Sequence, residues 1–254
     1  YGNDTATAAV KGPLSLARQR MGATGNASYG YWGGGYPLGT LSTVDRLDYS
    51  SDTTAAAVKG PLSVARYGLA ATGTASYGYF AGGYPGPKST VDRVDYSNDT
   101  PTMTTKGPLD TVVRYLAATG NASYGYYGGG YPGPSGNSKV DRIDYSNDTA
   151  TAAEKGPLSV VRYYLGATGN ASYGYFATGF PALSSVDRID YSNDTATAAA
   201  KGPLSVARSR IAATGNTSYG WFGGGYPGTP GSVYSIVDRI DYSSDTPTAA
   251  AKGP

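Results

Sequence analysis

Arginine, aspartate and tyrosine are the residues in this chain that could do chemistry together. Arg18, Arg66, Arg114, Arg162 and Arg208 each follow a Lys-Gly-Pro-Leu segment, and Asp45, Asp92, Asp141, Asp187 and Asp238 each stand in a Val-Asp-Arg triplet. An arginine cluster, a carboxylate and a tyrosine nucleophile are one known route to glycoside hydrolysis. Here every member recurs five times, whereas a catalytic constellation is a single asymmetric arrangement. No enzyme activity is therefore expected. Five inward arginines could also ring a channel and hold an anion. The stronger expectation is that these arginines and aspartates form structural ion pairs, because buried charges need hydrogen-bonded partners.

Other chemistries are narrowed by what the chain lacks. With no His and no Cys, the commonest general base, the commonest transition-metal ligand and all thiolate chemistry are missing. The recurring Asp-x-Tyr-Ser-[Asn/Ser]-Asp-Thr stretch offers oxygen donors to a hard cation. It lacks the alternating ligand spacing and terminal Glu of a calcium loop, so it reads as turn capping. The Gly-Gly-Gly runs have no Lys or helix behind them, unlike a phosphate loop. Neither metal nor cofactor is expected.

The 254 residues include 20 basic and 18 acidic ones spread evenly, for a net charge of +2. Such a surface has no basic stripe for nucleic acid. No apolar run approaches the roughly 20 residues of a membrane-crossing helix, so no membrane partner is expected either. There are 38 Gly, 16 Pro and 25 Tyr, a composition suited to short strands joined by tight turns and not to long helices. Eight Asn-x-Ser/Thr triplets, among them Asn26, Asn121 and Asn170, fall where turns need Asn.

These elements are arranged as a repeat. The segment ARQRMGATG at Ala17 returns as ARYGLAATG, VRYLAATG, VRYYLGATG and ARSRIAATG, with the arginines 48, 48, 48 and 46 residues apart. Each unit reads as four strands. In the third, Tyr115 to Ala118 leads through a Gly-Asn hairpin into Ala122 to Tyr127, then Lys139 to Tyr145, then an outer strand from Thr149 to Ala153. One such sheet cannot bury both its faces, so neighbouring units must stack radially. The expected fold is all-β: a closed five-bladed β-propeller of four-stranded antiparallel blades, with residues 1–254 as one domain.

An Arg before the first strand, a Tyr-rich second strand ending in Gly-Gly and the run V-D-R-I-D-Y-S-N-D-T together resemble the kelch repeat, over the whole chain. The kelch Trp after the third strand is replaced by Thr-Ala-Thr-Ala, which implies an outer edge packed with small side chains. The wording of the repeat also resembles repeat proteins of marine tailed bacteriophages. That resemblance implies a virion or extracellular setting.

Unit-to-unit variation is concentrated in one place. Between the Pro after the second strand and the Val of Val-Asp-Arg lie six, five, seven, four and nine residues in successive units. Variable loops carry function on a rigid scaffold. They should open on one face, beside Tyr36, Tyr84, Tyr131, Phe180 and Tyr226, aromatic rings that suit stacking on sugars or docking a protein. The leading expectation is a non-enzymatic interaction module binding a host surface glycan or protein.

The ends raise a second reading. Residues 1–13 repeat residues 242–254, so two segments compete for one outer strand. The N-terminal copy, Asp4 to Ala9, is expected to supply the outer strand of the fifth blade. A displaced copy would pair with a neighbouring chain, making the protein a self-assembling filament or oligomer subunit.

Overall fold

A computed structural model of the chain describes residues 10–86 and 88–253. These residues form five antiparallel sheets of four strands, each ordered as the strands follow in sequence. The sheets are the blades of a five-bladed β-propeller. In the first blade the strands are Gly22–Gly25, Tyr29–Gly33, Val44–Asp48 and Ala57–Lys59. In the third they are Ala117–Gly120, Tyr124–Gly128, Val140–Asp144 and Ala153–Lys155.

Local chemistry sets the turns. Asn121 begins the first hairpin, and its Oδ1 accepts from the N–H groups of Ser123 and Tyr124, both at 2.9 Å. The preceding glycine does not sit in the turn, as a two-residue Gly-Asn hairpin would require; Gly120 pairs with Gly125 in the ladder. After the third strand, Asp144 Oδ1 accepts from Ser146 N at 2.9 Å and Ser146 Oγ at 2.6 Å. This side-chain turn consumes the threonines. The outer strand is therefore Ala153–Lys155 and not the expected Thr149 to Ala153, with Lys155 opposite Val140. As a result the Lys of Lys-Gly-Pro ends the strand.

Among the described residues each buried apolar cluster draws on two blades. The buried apolar clusters lie between blades: Tyr31, Leu62 and Phe80 between the first and second, Tyr79, Leu109 and Tyr127 between the second and third. Two further clusters fill the next two junctions. Glycine is needed where sheets approach closest: a Cβ on Gly33 would come within 2.7 Å of the Phe80 ring in the next blade. Near the outer edge Ala56, Ala152, Ala198 and Ala249 are buried, with Met103 in the second blade. Small side chains do fill most of that edge.

The fifth blade takes its outer strand from Ala250–Lys252, which pairs with Val237–Asp241. This corrects the expectation that the N-terminal copy would supply it. A short turn already delivers the C-terminal copy to the adjacent edge, so little loop-closure entropy is lost. Asp4 to Ala9 lie outside the described residues.

Candidate functional site

Four of the five repeated arginines meet the aspartate of their own blade. Arg18–Asp45, Arg66–Asp92, Arg162–Asp187 and Arg208–Asp238 lie 3.1, 2.8, 2.9 and 2.9 Å apart, with both side chains fully buried. In the second blade Asp92 also accepts from Ser63 N and Oγ at 3.0 and 2.6 Å, and Arg66 donates to Phe80 O at 3.0 Å. The guanidinium is thus committed to tying the start of the first strand to the second and third. It does not line a channel.

Arg114 departs from this pattern, which corrects its assignment as an ion-pair residue. Counted from the Lys-Gly-Pro-Leu anchor, Arg66 is four residues after Leu62, but Arg114 is five after Leu109. Val113 holds the anchor place instead. Asp141 Oδ2 accepts from Thr111 N at 3.2 Å, and its Oδ1 is buried with no hydrogen-bond partner. Burial pushes the Asp141 carboxyl up to about 6. The Arg114 guanidinium lies over the rings of Tyr84, Tyr131 and Tyr115, at 4.5, 5.0 and 5.3 Å from their centroids.

The Val-Asp-Arg arginines work across blades. Arg93 and the Tyr79 hydroxyl both donate to Asp148 Oδ2 of the following blade, at 2.7 and 2.9 Å, while Lys106 pairs with its Oδ1 at 3.1 Å. Burial alone would raise the Asp148 carboxyl, but Tyr79, Lys106 and Arg93 together hold it below the usual carboxylate range. Asp99, Asp194 and Asp245 receive the same Tyr, Arg and Lys from the blades before them. Sequence reading did not single out this clamp, because its partners lie in separate repeats.

The five candidate aromatics share one layer on the loop face. Each is bridged to the residue just before the first strand: Tyr36 to Gln19, Tyr84 to Tyr67, Tyr131 to Arg114, Phe180 to Tyr163 and Tyr226 to Ser209. They are not isolated rings. Tyr36–Tyr67, Tyr67–Tyr84, Tyr131–Tyr163 and Tyr163–Phe180 centroids lie 5.0, 5.3, 5.0 and 5.1 Å apart. Phe180 is the most open of the five, at 46% exposure.

Inside this layer Arg20, Gly68, Tyr115, Tyr164 and Arg210 surround the propeller axis. All five have positive φ, between 57° and 69°, a conformation that costs non-glycine residues energy and needs support from its surroundings. Support comes from a chain of backbone hydrogen bonds: Gly68 N to Arg20 O, Tyr115 N to Gly68 O, Tyr164 N to Tyr115 O and Arg210 N to Tyr164 O, at 2.7, 2.6, 2.9 and 2.7 Å. The turn places the side chains around a cavity of about 380 Å³. Tyr115 and Tyr164 stand 4.2 Å apart on its wall, and Arg210 lies 4.8 Å from the Tyr164 ring. Leu69, Leu116, Leu165 and Ile211 make it apolar, and no carboxylate lines it among the described residues. Burial raises the Tyr115 hydroxyl above its ordinary value, so it stays a neutral donor.

Flat rings, an apolar lining and two guanidinium groups suit binding an anion-bearing ligand. Among the described residues the lining holds neither a carboxylate nor an imidazole. Arg20, Tyr115, Tyr164 and Arg210 were not among the sequence candidates. Their signal was that the residues following the anchor arginine change from blade to blade while everything around them repeats.

No protein-family model matches this chain, and no curated protein matches it.

Proposed function

We propose that the chain is a non-enzymatic recognition module that binds an acidic surface glycan at the axial cavity of its loop face. The observation that carries this reading is the continuous aromatic and arginine crown: Tyr115 and Tyr164 at the centre, Arg20 and Arg210 beside them, and Arg114 over Tyr84 and Tyr131. Sugar rings stack on aromatic faces, and a carboxylate or sulfate accepts from guanidinium. The variable loops then set which glycan is accepted. A kelch-like propeller on a virion or extracellular appendage, as the repeat wording suggests, fits that role.

The test is calorimetric titration with uronate- or sialate-containing oligosaccharides against neutral ones of equal length. Acidic ligands should bind and neutral ones should not, and Tyr164→Ala or Arg210→Gln should weaken binding at least tenfold without changing the melting temperature. Equal binding of both classes, or affinity indifferent to both substitutions, would overturn the reading. Capture of a protein ligand through the same residues, with no glycan binding, would replace it with protein recognition.

A further inference from the structure

The four junctions between consecutive blades repeat one set of contacts, and among the described residues the seam between the fifth blade and the first lacks it. Gly35, Gly83, Gly130 and Gly179 each donate a backbone N–H to the anchor residue of the following blade; no such bond joins Gly225 to Arg18. The chain of bonds around the axis begins at Arg20 and ends at Arg210 without a fifth bond between them. Phe80, Tyr127, Phe176 and Phe222 are buried at the junctions, while Trp32 at the same position is only half-buried. A Cβ on Gly33 or Gly128 would meet the next blade's ring, whereas one on Gly223 would meet, among the described residues, only Val237 of its own blade, at 3.6 Å. Asp99, Asp148, Asp194 and Asp245 keep at most 8% side-chain exposure, and Asp52 keeps 38%.

The path of the chain onto the first blade indicates how wide that seam is. Lys11 pairs with Asp52 at 3.2 Å, Gly12 N donates to Asp52 O at 2.8 Å, and Ala56 N donates to Pro13 O at 2.9 Å. Lys59, Gly60 and Pro61 make the same three contacts with the second blade, at 3.2, 2.8 and 2.9 Å. There, Lys59 is the last outer-strand residue of the preceding blade. If the fifth blade directly preceded the first, its outer strand would end at Lys11. It ends at Lys252.

We propose that the ring has a sixth position between the fifth and first blades, which takes a further three-stranded unit of this same repeat. The interface it would use is already built four times within the chain. A three-stranded unit is chosen because Lys11 already makes with Asp52 the contact that Lys59, the last residue of an outer strand, makes with Asp99. One face of the unit brings an aromatic ring to the Gly223 notch. The other brings a small residue to Trp32 and a tyrosine–arginine pair to Asp52.

The experiment extends the chain after Pro254 with a copy of residues 204–243, with Tyr in place of Trp221 in both copies so that Trp32 is the sole tryptophan. The unextended chain should be monomeric by light scattering, with Trp32 open to acrylamide. Extension should cut quenching of Trp32 about threefold and raise the melting temperature by about 5 °C in one transition. Gly223→Phe should abolish both gains in the extended chain while leaving the unextended one unchanged. The proposal is overturned if the added unit melts separately, if Trp32 stays equally quenchable, or if the unextended chain already shields Trp32 by closing or dimerising.

Discussion

Val113 of the third blade takes the place that Arg66 takes in the second. Val113 N donates to Lys88 O at 3.0 Å and Arg66 N to Leu41 O at 2.9 Å, each reaching the loop before a third strand. The Val113 side chain stands over Gly130 as that of Arg66 stands over Gly83. One consequence is that Asp141 keeps the burial of Asp92 without its cation. Another is that the displaced arginine, Arg114, joins the aromatic crown. A one-residue slip in a repeat thus weakens a structural pair and adds a residue to the binding face.

The first prediction follows from the Asp141 carboxyl, which titrates near 6 in the folded chain and near 3.9 when unfolded. Below about pH 4 it is neutral in both states and costs nothing. Above about pH 6 it is charged in both, and the folded state carries the burial penalty, so this residue's contribution falls as pH rises through that window. Asp141→Asn should stabilise the protein by about 2 kcal/mol at pH 7.5 and leave it nearly unchanged at pH 4. Urea titrations at both pH values measure this. Val113→Arg should also stabilise at pH 7.5 by restoring the pair; an equal gain at both pH values for Asp141→Asn would remove the charge explanation.

Arg66 and Arg114 should respond very differently to truncation. Arg66→Ala leaves the Asp92 carboxylate buried and unpaired, at a cost of about 3–5 kcal/mol. Arg114→Ala removes cation–π contacts of a half-buried guanidinium that has no carboxylate partner among the described residues, and should cost about 1 kcal/mol or less. Equal losses in denaturant unfolding would refute this separation of roles.

Asp148 should set part of the acid limit of the protein. Its folded pKa is depressed, so its stabilisation is fully present above the unfolded value near 3.9 and is lost as pH falls through the lower folded value. Asp148→Asn should cost about 2 kcal/mol at pH 7 and progressively less as pH drops below 4. A cost independent of pH would point to packing alone.

The two equivalent glycines at the ends of the blade series offer a fourth test. Gly33→Ala forces a methyl group against the Phe80 ring and should cost about 1–3 kcal/mol. Among the described residues Gly223→Ala meets only Val237, at ordinary contact distance, and should stay within about 0.5 kcal/mol of the parent. Matched thermal melts would show the difference, and a comparable loss at Gly223 would mean that the notch is filled in solution.

Much of this molecule was legible in its sequence because repeats and turns are local. The returning anchors mark five sheets, and the Asn and Asp turn residues act on backbone groups two or three positions away, so no distant partner is needed to read them. The Arg66–Asp92 type of pair was legible too, since both residues recur within each unit. Arg114 was misread because equal 48-residue arginine spacing masked the slip against the Pro-Leu anchor. What the tertiary structure alone decided lies between units. Tyr79 and Asp148 are 69 residues apart, and only radial stacking of sheets makes them neighbours. The axial crown likewise draws one short turn from every blade, and no pattern within a single repeat reveals which side chains meet there. The open contact at Gly223 also depends on how the sheets stack on one another, which no local sequence carries.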